Sequence, residues 1–461
     1  MTDPLHNADF EELKRRLHAA IPGGAHTYSR GDDQFPQAAP PILARGKGAR
    51  VWDTAGREYV DYGMALRAVT IGYADERVNA AAIRQIENGV NLTRASPIEL
   101  EAAELLIETI PHAEMVKFAK NGSNVTTAAV KIARAFTGRR YVAIPRQHPF
   151  FSFDDWFIGT TAVTRGVDER QSASTLVFNY GDMASLEALF DAHPGEIAAV
   201  MLEPATHLTP CGTCPGQAHW PKTPCAACPN NADNFLHRVR ALTERAGALL
   251  IFDEMITGFR WHLKGAQHFF GVTPDLSTFG KAMANGFSLS AVAGRAEVMA
   301  VGAIDRPGMQ RTFLLSTTHG AEMPPLGAFV AATRINRQED VPAHLWRYGA
   351  QLRTGLEEMA ARYGVAAHFT LEGPAVALNY VTRGADGAPD PGLRTLFSQE
   401  MLARGVMMPW IALSQAHGEA ELAATLEAAD GAFRIYARAL EDGVERHLTG
   451  PAVKPVFRSH N

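Results

Sequence analysis

The sequence predicts an α/β protein, with a large domain on a mostly parallel sheet and a smaller α+β domain. Three observations carry this expectation. From about Asp75 onward, short apolar runs alternate with segments of helical spacing. Two of those runs, "IAAVML" and "ALLIF", are apolar throughout, as strands covered on both faces are. Beyond roughly residue 330 the texture changes to helices with a few half-buried strands, as in "HFTLEGPAVALNYV".

The elements follow in order. "FEELKRRLHAA" reads as an amphipathic helix, and a Gly/Pro-rich loop, "IPGGAHTYSRGDDQFPQAAPP", comes after it. "ARVWDTAGREYVDYG" holds two alternating strands around the turn "TAGR". "ELEAAELLIETI" is helical, "MVKFAK" a strand, and "NVTTAAVKIARAFTG" a helix closed by glycine. The strand "YVAIP", the strand "IAAVMLEP", the helix "FLHRVRALTERAG" and the strand "ALLIFDE" complete the alternation. The expected domains are an N-terminal segment 1–70 contributing to the small domain, a large domain 71–330 with an insertion at 207–231, and a C-terminal small domain 331–461.

At 461 residues the chain exceeds one ordinary core, which fits two domains. A net charge of −5 without long blocks of one sign argues against nucleic acid as a partner. No apolar run is long enough to span a bilayer, and the N-terminus lacks an apolar signal core, so the expectation is a cytoplasmic protein.

In open α/β sheets, ligands bind at the carboxyl ends of the strands, and three such ends stand out. "FAKNGSNVTTAAVKIARAF" is a strand, a turn and a helix start, where backbone N–H groups of Gly122, Ser123 and Asn124 suit a phosphate. Its plain alternative is a capped helix, with Ser123 or Asn124 as the cap. In "ALLIFDEMITGFR", Asp253 sits at the mouth of a buried strand and needs a cation to stay ionised, either a ligand or an arginine such as Arg260. In "PDLSTFGKAMANG", Lys281 sits among small and apolar residues, a setting that would lower its pKa and allow a Schiff base; its plain alternative, the commoner fate of a single lysine, is a snorkelling surface residue. A phosphate cradle, a carboxylate for a ring nitrogen and a Schiff-base lysine are the protein groups that pyridoxal phosphate requires.

At these residues the chain resembles the class III pyridoxal-phosphate aminotransferases, in the branch that contains glutamate-1-semialdehyde 2,1-aminomutase. The likeness also covers "IPGGAHTYSR", "VWDTAGREYVDYGMAL", "NGSNVTTAAVKIARAFTGRR", "RTLFSQEMLARGVMMPW" and "TLEAADGAF", in order along nearly the whole chain. The resemblance implies the pyridoxal-phosphate fold type I. Lys281 would hold the cofactor covalently, Asp253 would pair with the pyridinium, and Met255 would pack under the ring. Gly122, Ser123 and Asn124 would bind the phosphate, joined by Thr318 across the interface of a homodimer with shared active sites. Arg30 would help to hold a substrate carboxylate.

The sequence also departs from the family. The phosphate turn ends in Asn124 where relatives carry Glu. "PRQHPFFSFDDWF" replaces a Tyr-His-Gly-like stretch, leaving His148 or Phe150 to stack on the cofactor, with His148 preferred. These changes favour an aminotransferase of a specialised biosynthetic pathway over the aminomutase reaction, which stays the alternative. A catalytically inactive, zinc-stabilised binding protein is the alternative of another class.

All four cysteines, Cys211, Cys214, Cys225 and Cys228, fall in "CGTCPGQAHWPKTPCAAC". Two C-x2-C pairs can supply four thiolates in a tetrahedron, as structural zinc sites do. An iron–sulfur cluster or metal-free thiols are the other readings. Four thiolates leave zinc no open position, so the expected metal staples a loop and performs no chemistry.

Overall fold

The computed structural model describes residues 9–206, 208, 210 and 234–460. The four cysteines therefore lie outside the described residues. The chain divides into two compact units, one of Met1–Asp75 with His344–Arg458, the other of Glu76–Ala343 with Ser459–Asn461.

In the first unit, the helix Phe10–Ala20 is capped by Asp9, whose carboxylate accepts from the Glu12 N–H at 3.4 Å. Four strands form a sheet in the order Leu43–Lys47, Arg50–Asp53, Glu58–Asp61 and Val406–Met407. The first three pair antiparallel and the last joins in parallel, so the chain's two ends share one sheet. Asp53 shapes the "TAGR" turn by accepting from the N–H groups of Ala55 and Arg57, both at 2.9 Å. A hairpin of Phe369–Glu372 and Asn379–Thr382 packs with the helices Pro391–Ala403 and Glu419–Asp442. The rings of Phe369, Phe397 and Phe433 meet there at 4.7–5.4 Å.

The backbone after Glu58–Asp61 does something the sequence does not announce. Met64, Ala65, Leu66 and Arg67 have φ of 39°, 49°, 61° and 67°, one turn of left-handed helix without a glycine. Each such residue costs roughly 1–2 kcal/mol, so neighbours must hold the turn in place. Asp61 accepts from the N–H groups of Gly63 (2.7 Å) and Met64 (3.0 Å) and from the Tyr73 hydroxyl (2.6 Å). The Tyr73 oxygen in turn accepts from the Ala65 N–H at 2.7 Å. The Trp410 indole closes the cluster by donating to the Gly63 carbonyl at 3.1 Å.

The second unit is built on seven strands: β1 Met115–Ala119, β2 Tyr141–Pro145, β3 Thr175–Phe178, β4 Ile197–Leu202, β5 Leu249–Asp253, β6 Leu276–Phe279 and β7 Ser290–Gly294. Their order is β1-β7-β6-β5-β4-β2-β3. The strands from β6 to β3 are mutually parallel, and β7 runs antiparallel between β6 and β1. Every residue of β4 and β5 is buried, as their unbroken apolar runs predict. The helices Gly122–Thr137 and Phe235–Ala246 both end on left-handed glycines, Gly138 and Gly247. The fold is the expected large parallel-sheet domain accompanied by a smaller α+β one.

Candidate active site

The parallel ladder between β5 and β6 pairs Asp253 with Thr278. That register brings the Thr278 hydroxyl to Asp253 Oδ1 at 3.0 Å, and the Met255 N–H reaches the same oxygen at 3.0 Å. Burial pushes the carboxyl up to about 6, and the nearby charge of Lys281 is the largest influence pulling it back. The cation acting on Asp253 is thus Lys281. The alternative partner, Arg260, is buried and donates from Nε to the Ile256 carbonyl.

Lys281 follows β6 directly and opens a short 3₁₀ turn, Lys281–Ala284. Its φ of 39° and the 46° of Asn285 bracket the turn with left-handed residues. Non-glycine strain of this kind concentrates where a side chain must be aimed. The lysine is half-buried and not a solvated surface residue.

Met255 sits between this loop and the first strand-end turn. A Cβ on Gly280 would stand 2.6 Å from its sulfur, and one on Gly122 would stand 3.1 Å away. Two glycines thus admit one thioether between the lysine loop and the helix start. Asn121, and not Ser123 or Asn124, caps that helix: its side chain accepts from the Asn124 N–H at 3.2 Å. The correction has a simple geometric cause, because the helix begins at Gly122 and places Asn121 at the cap. In the first turn of any helix the amide groups lack intrahelical partners, and those of Gly122 and Ser123 stand at such a helix start. The Ser123 hydroxyl is buried and accepts from the Phe153 N–H at 3.1 Å.

The stretch "HPFFSF" lies against this helix, since Thr126 donates to the Phe151 carbonyl at 2.7 Å. Within it the structure separates the two stacking candidates. His148 is 3% exposed, its ring 5.0 Å from Tyr180 and 5.8 Å from Phe151, and Nδ1 accepts from the Glu203 N–H at 3.0 Å. It joins the end of β2 to the end of β4. Phe150 is 45% exposed, supported edge-on by Phe157 at 5.8 Å. Of the two rings, Phe150 is the exposed one and His148 the buried one.

Thr318 is exposed, and its carbonyl accepts from Asn91 at 2.9 Å. Arg30 belongs to the first unit, where it is exposed and forms no ion pair among the described residues.

Two residues of the second unit escaped the sequence reading. Thr278 is one, and the β5–β6 register would have revealed it. The other is Glu254, fully buried, which accepts from the Ala266 and Gln267 N–H groups at 2.9 Å and from Thr257. A Cβ on Gly265 would stand 2.6 Å from the Glu254 carboxylate. Glu254 therefore ties the loop after β5 to the helix Gly265–Phe270. The residues fit the cofactor: a buried carboxylate, a nearby amine, a thioether and a helix N-terminus come together at the carboxyl ends of the adjacent strands β5 and β6 and of β1, which lies beyond the intervening β7.

Comparison with known proteins agrees with this geometry. The family model described as "Aminotransferase class-III" matches residues 34–222 and 226–409. The chain is 33% identical over 431 residues to the 3-aminobutyryl-CoA aminotransferase of Cloacimonas acidaminovorans (strain Evry), covering 91% of this chain and 94% of the relative. It is 32% identical over 439 residues to a glutamate-1-semialdehyde 2,1-aminomutase of Thermomicrobium roseum, covering 91% and 96%. Among solved structures, the FumI protein of Sphingopyxis sp. MTA144 in its PLP internal aldimine form superposes with a TM-score of 0.81 at 29% identity. That match covers 94% of this chain and 97% of the other. Such membership sets aside the alternative of an inactive binding protein. The chain belongs to the aminotransferase class-III family and is a pyridoxal-phosphate-dependent enzyme.

Proposed function

We propose that the enzyme moves an amino group from an amino-acid donor to a separate carbonyl acceptor in a specialised biosynthetic pathway. The observation that supports this most is the Asp253–Lys281 pair, a buried carboxylate and an amine at the ends of adjacent strands. When bound, pyridoxal phosphate supplies an electron sink for the donor's α-carbon. The chain supplies the rest. Asp253 holds a proton at the ring nitrogen, with Thr278 and the Met255 N–H orienting its Oδ1. Lys281 Nζ would hold the cofactor and would be the group that takes up and returns a proton at the substrate carbon. The amides of Gly122 and Ser123, beside Asn124, hold the phosphate. Met255 packs beneath the ring and Phe150, in place of His148, covers it. Thr318 completes the phosphate site from a second subunit of a homodimer, and Arg30 receives the substrate carboxylate.

The visible spectrum of the purified protein, before and after L-glutamate or L-alanine without acceptor, tests the reading. Loss of the lysine-bound cofactor's absorbance with release of a keto acid is the expected result. Absorbance unmoved by these and every other amino donor would overturn it in favour of the intramolecular aminomutase. The 32% identity to a glutamate-1-semialdehyde 2,1-aminomutase favours that second reading enough to make this test decisive.

The spacing of Cys211, Cys214, Cys225 and Cys228 supports a structural zinc site of four thiolates. One equivalent of zinc per chain, released by a thiol-modifying mercurial, is the expected measurement. No helix of the described residues is long and apolar enough to cross a membrane. A reducing cytoplasm suits both that and four cysteines engaged by metal.

A further inference from the structure

The helix Gly122–Thr137 begins with its least constrained part. The amides of a first helical turn have no intrahelical partners, and glycine has the loosest backbone of all residues. Gly122 stands there for room, since a Cβ on it would lie 3.1 Å from the Met255 sulfur. Asn121 caps the amide of Asn124. The rest of the turn's order comes from another part of the second unit.

That part is the stretch Phe151–Trp156. Thr126 and Thr127 follow Ser123 by three and four positions, so one stripe of the helix carries all three hydroxyls. Each of them meets the stretch. Ser123 Oγ accepts from the Phe153 N–H at 3.1 Å, and Thr126 Oγ1 donates to the Phe151 carbonyl at 2.7 Å. Thr127 Oγ1 makes three bonds at once. The Trp156 indole can only donate to it, at 2.8 Å, and the Asp154 carboxylate accepts the threonine's own proton. Ser152 Oγ, at 3.1 Å, is therefore the donor in the third bond, and the Thr127 hydroxyl is saturated. Phe151 and Trp156 are buried in the same core cluster as Val125, Ala128 and Ala129 of the helix.

We propose that Phe151–Trp156 is a splint for the phosphate turn, with Thr127 and Trp156 as its positioning residues. The splint fixes the first-turn amides of Gly122 and Ser123 before a ligand arrives, and both residues act through the helix and not on the ligand. Ordering even one backbone residue at the moment of binding weakens affinity by about an order of magnitude. A turn held in advance escapes that loss. This inference rests on the assignment of the cofactor phosphate to Gly122, Ser123 and Asn124 above, and deepens it by naming what holds that turn in shape.

A matched pair of ligands tests it: pyridoxal 5′-phosphate and pyridoxal, titrated into the cofactor-free, full-length protein. The two share ring and aldehyde, so whatever Lys281 and Asp253 contribute cancels in the ratio of their affinities, which reports the share of the phosphate. Thr127→Val keeps the shape of the side chain and removes the hydroxyl. It should lower that ratio by about tenfold, with pyridoxal itself binding within about twofold of wild type. Amide hydrogen exchange at Gly122–Asn124 in the cofactor-free protein should speed up by about the same factor. Trp156→Phe, which loses one of the three bonds, should lower the ratio by about threefold. Asp154→Asn, which keeps an acceptor for the Thr127 hydroxyl, should leave it near wild type. A merely structural role would weaken both ligands together and leave the ratio unmoved. A ratio unchanged in both Thr127→Val and Trp156→Phe overturns the proposal, and Trp156→Phe decides alone if Thr127→Val does not fold. If wild type prefers the phosphorylated ligand and no variant alters that preference, the splint falls and the phosphate assignment stands. If wild type binds the two ligands equally, that assignment falls too.

Discussion

Two buried aspartates end two strands, and their surroundings differ in kind. Asp61 closes Glu58–Asp61 and Asp253 closes β5; both are almost wholly buried, and burial raises the pKa of each. Asp61 is answered by three fixed, neutral donors, the Gly63 and Met64 N–H groups and the Tyr73 hydroxyl. Asp253 has two such donors on one oxygen, and its largest stabilising influence is the amine of Lys281. A carboxylate saturated by rigid neighbours builds architecture. One balanced by a nearby amine can exchange that cation for another, which under the proposed function would be the protonated ring nitrogen.

Changing the movable cation should break this comparison most sharply. Lys281→Ala should lower the first half-reaction by about three to four orders of magnitude, measured in single turnover. The fold should persist, since the lysine is half-buried and strained. Retention of wild-type turnover would remove Lys281 from the mechanism.

The next test concerns charge at Asp253. The folded carboxyl near 6 stands above its ordinary value of 3.8, so between these values the folded chain binds more protons than the unfolded one. Stability is then greatest at low pH and is lost as pH rises towards 6, by about 3 kcal/mol in all. Asp253→Asn should therefore raise the melting temperature of cofactor-free protein above pH 6, by an amount that shrinks towards pH 4, while weakening cofactor retention. A variant less stable than wild type at pH 8 would contradict this.

At Asp61 the expected sign is opposite. Asp61→Ala leaves two amides and a hydroxyl without their acceptor and should destabilise the protein by about 2–3 kcal/mol, read by denaturant unfolding. A neutral outcome would show that the left-handed turn holds itself. The smallest effect should come from Thr278→Val, about 1 kcal/mol of stability together with a further rise in the Asp253 pKa, visible as an alkaline shift in the pH profile of cofactor binding.

Much of this was legible in the residues. The alternation of helices and strands, the unbroken burial of β4 and β5, and the placement of Asp253, Lys281 and the Asn121–Asn124 turn at strand ends all follow from local pattern. The antiparallel β7 was not legible, because its "SAVAG" run carries no sign of direction. The ring that faces outward was not legible either, since His148 and Phe150 differ by the company they keep and not by their own character.

By itself the sequence determined the layered α/β plan and the chemical types at its strand ends, because periodicity and residue chemistry act over a few positions. Only the tertiary structure decided which groups meet. The β5–β6 register set Thr278 beside Asp253, and the packing of Gly122 and Gly280 made room for Met255. A hydroxyl at Tyr73 and a carboxylate at Asp61 made a left-handed turn affordable in a stretch without glycine. These outcomes depend on contacts between residues far apart in the chain, and the free energy that selects them exists only once the strands have paired.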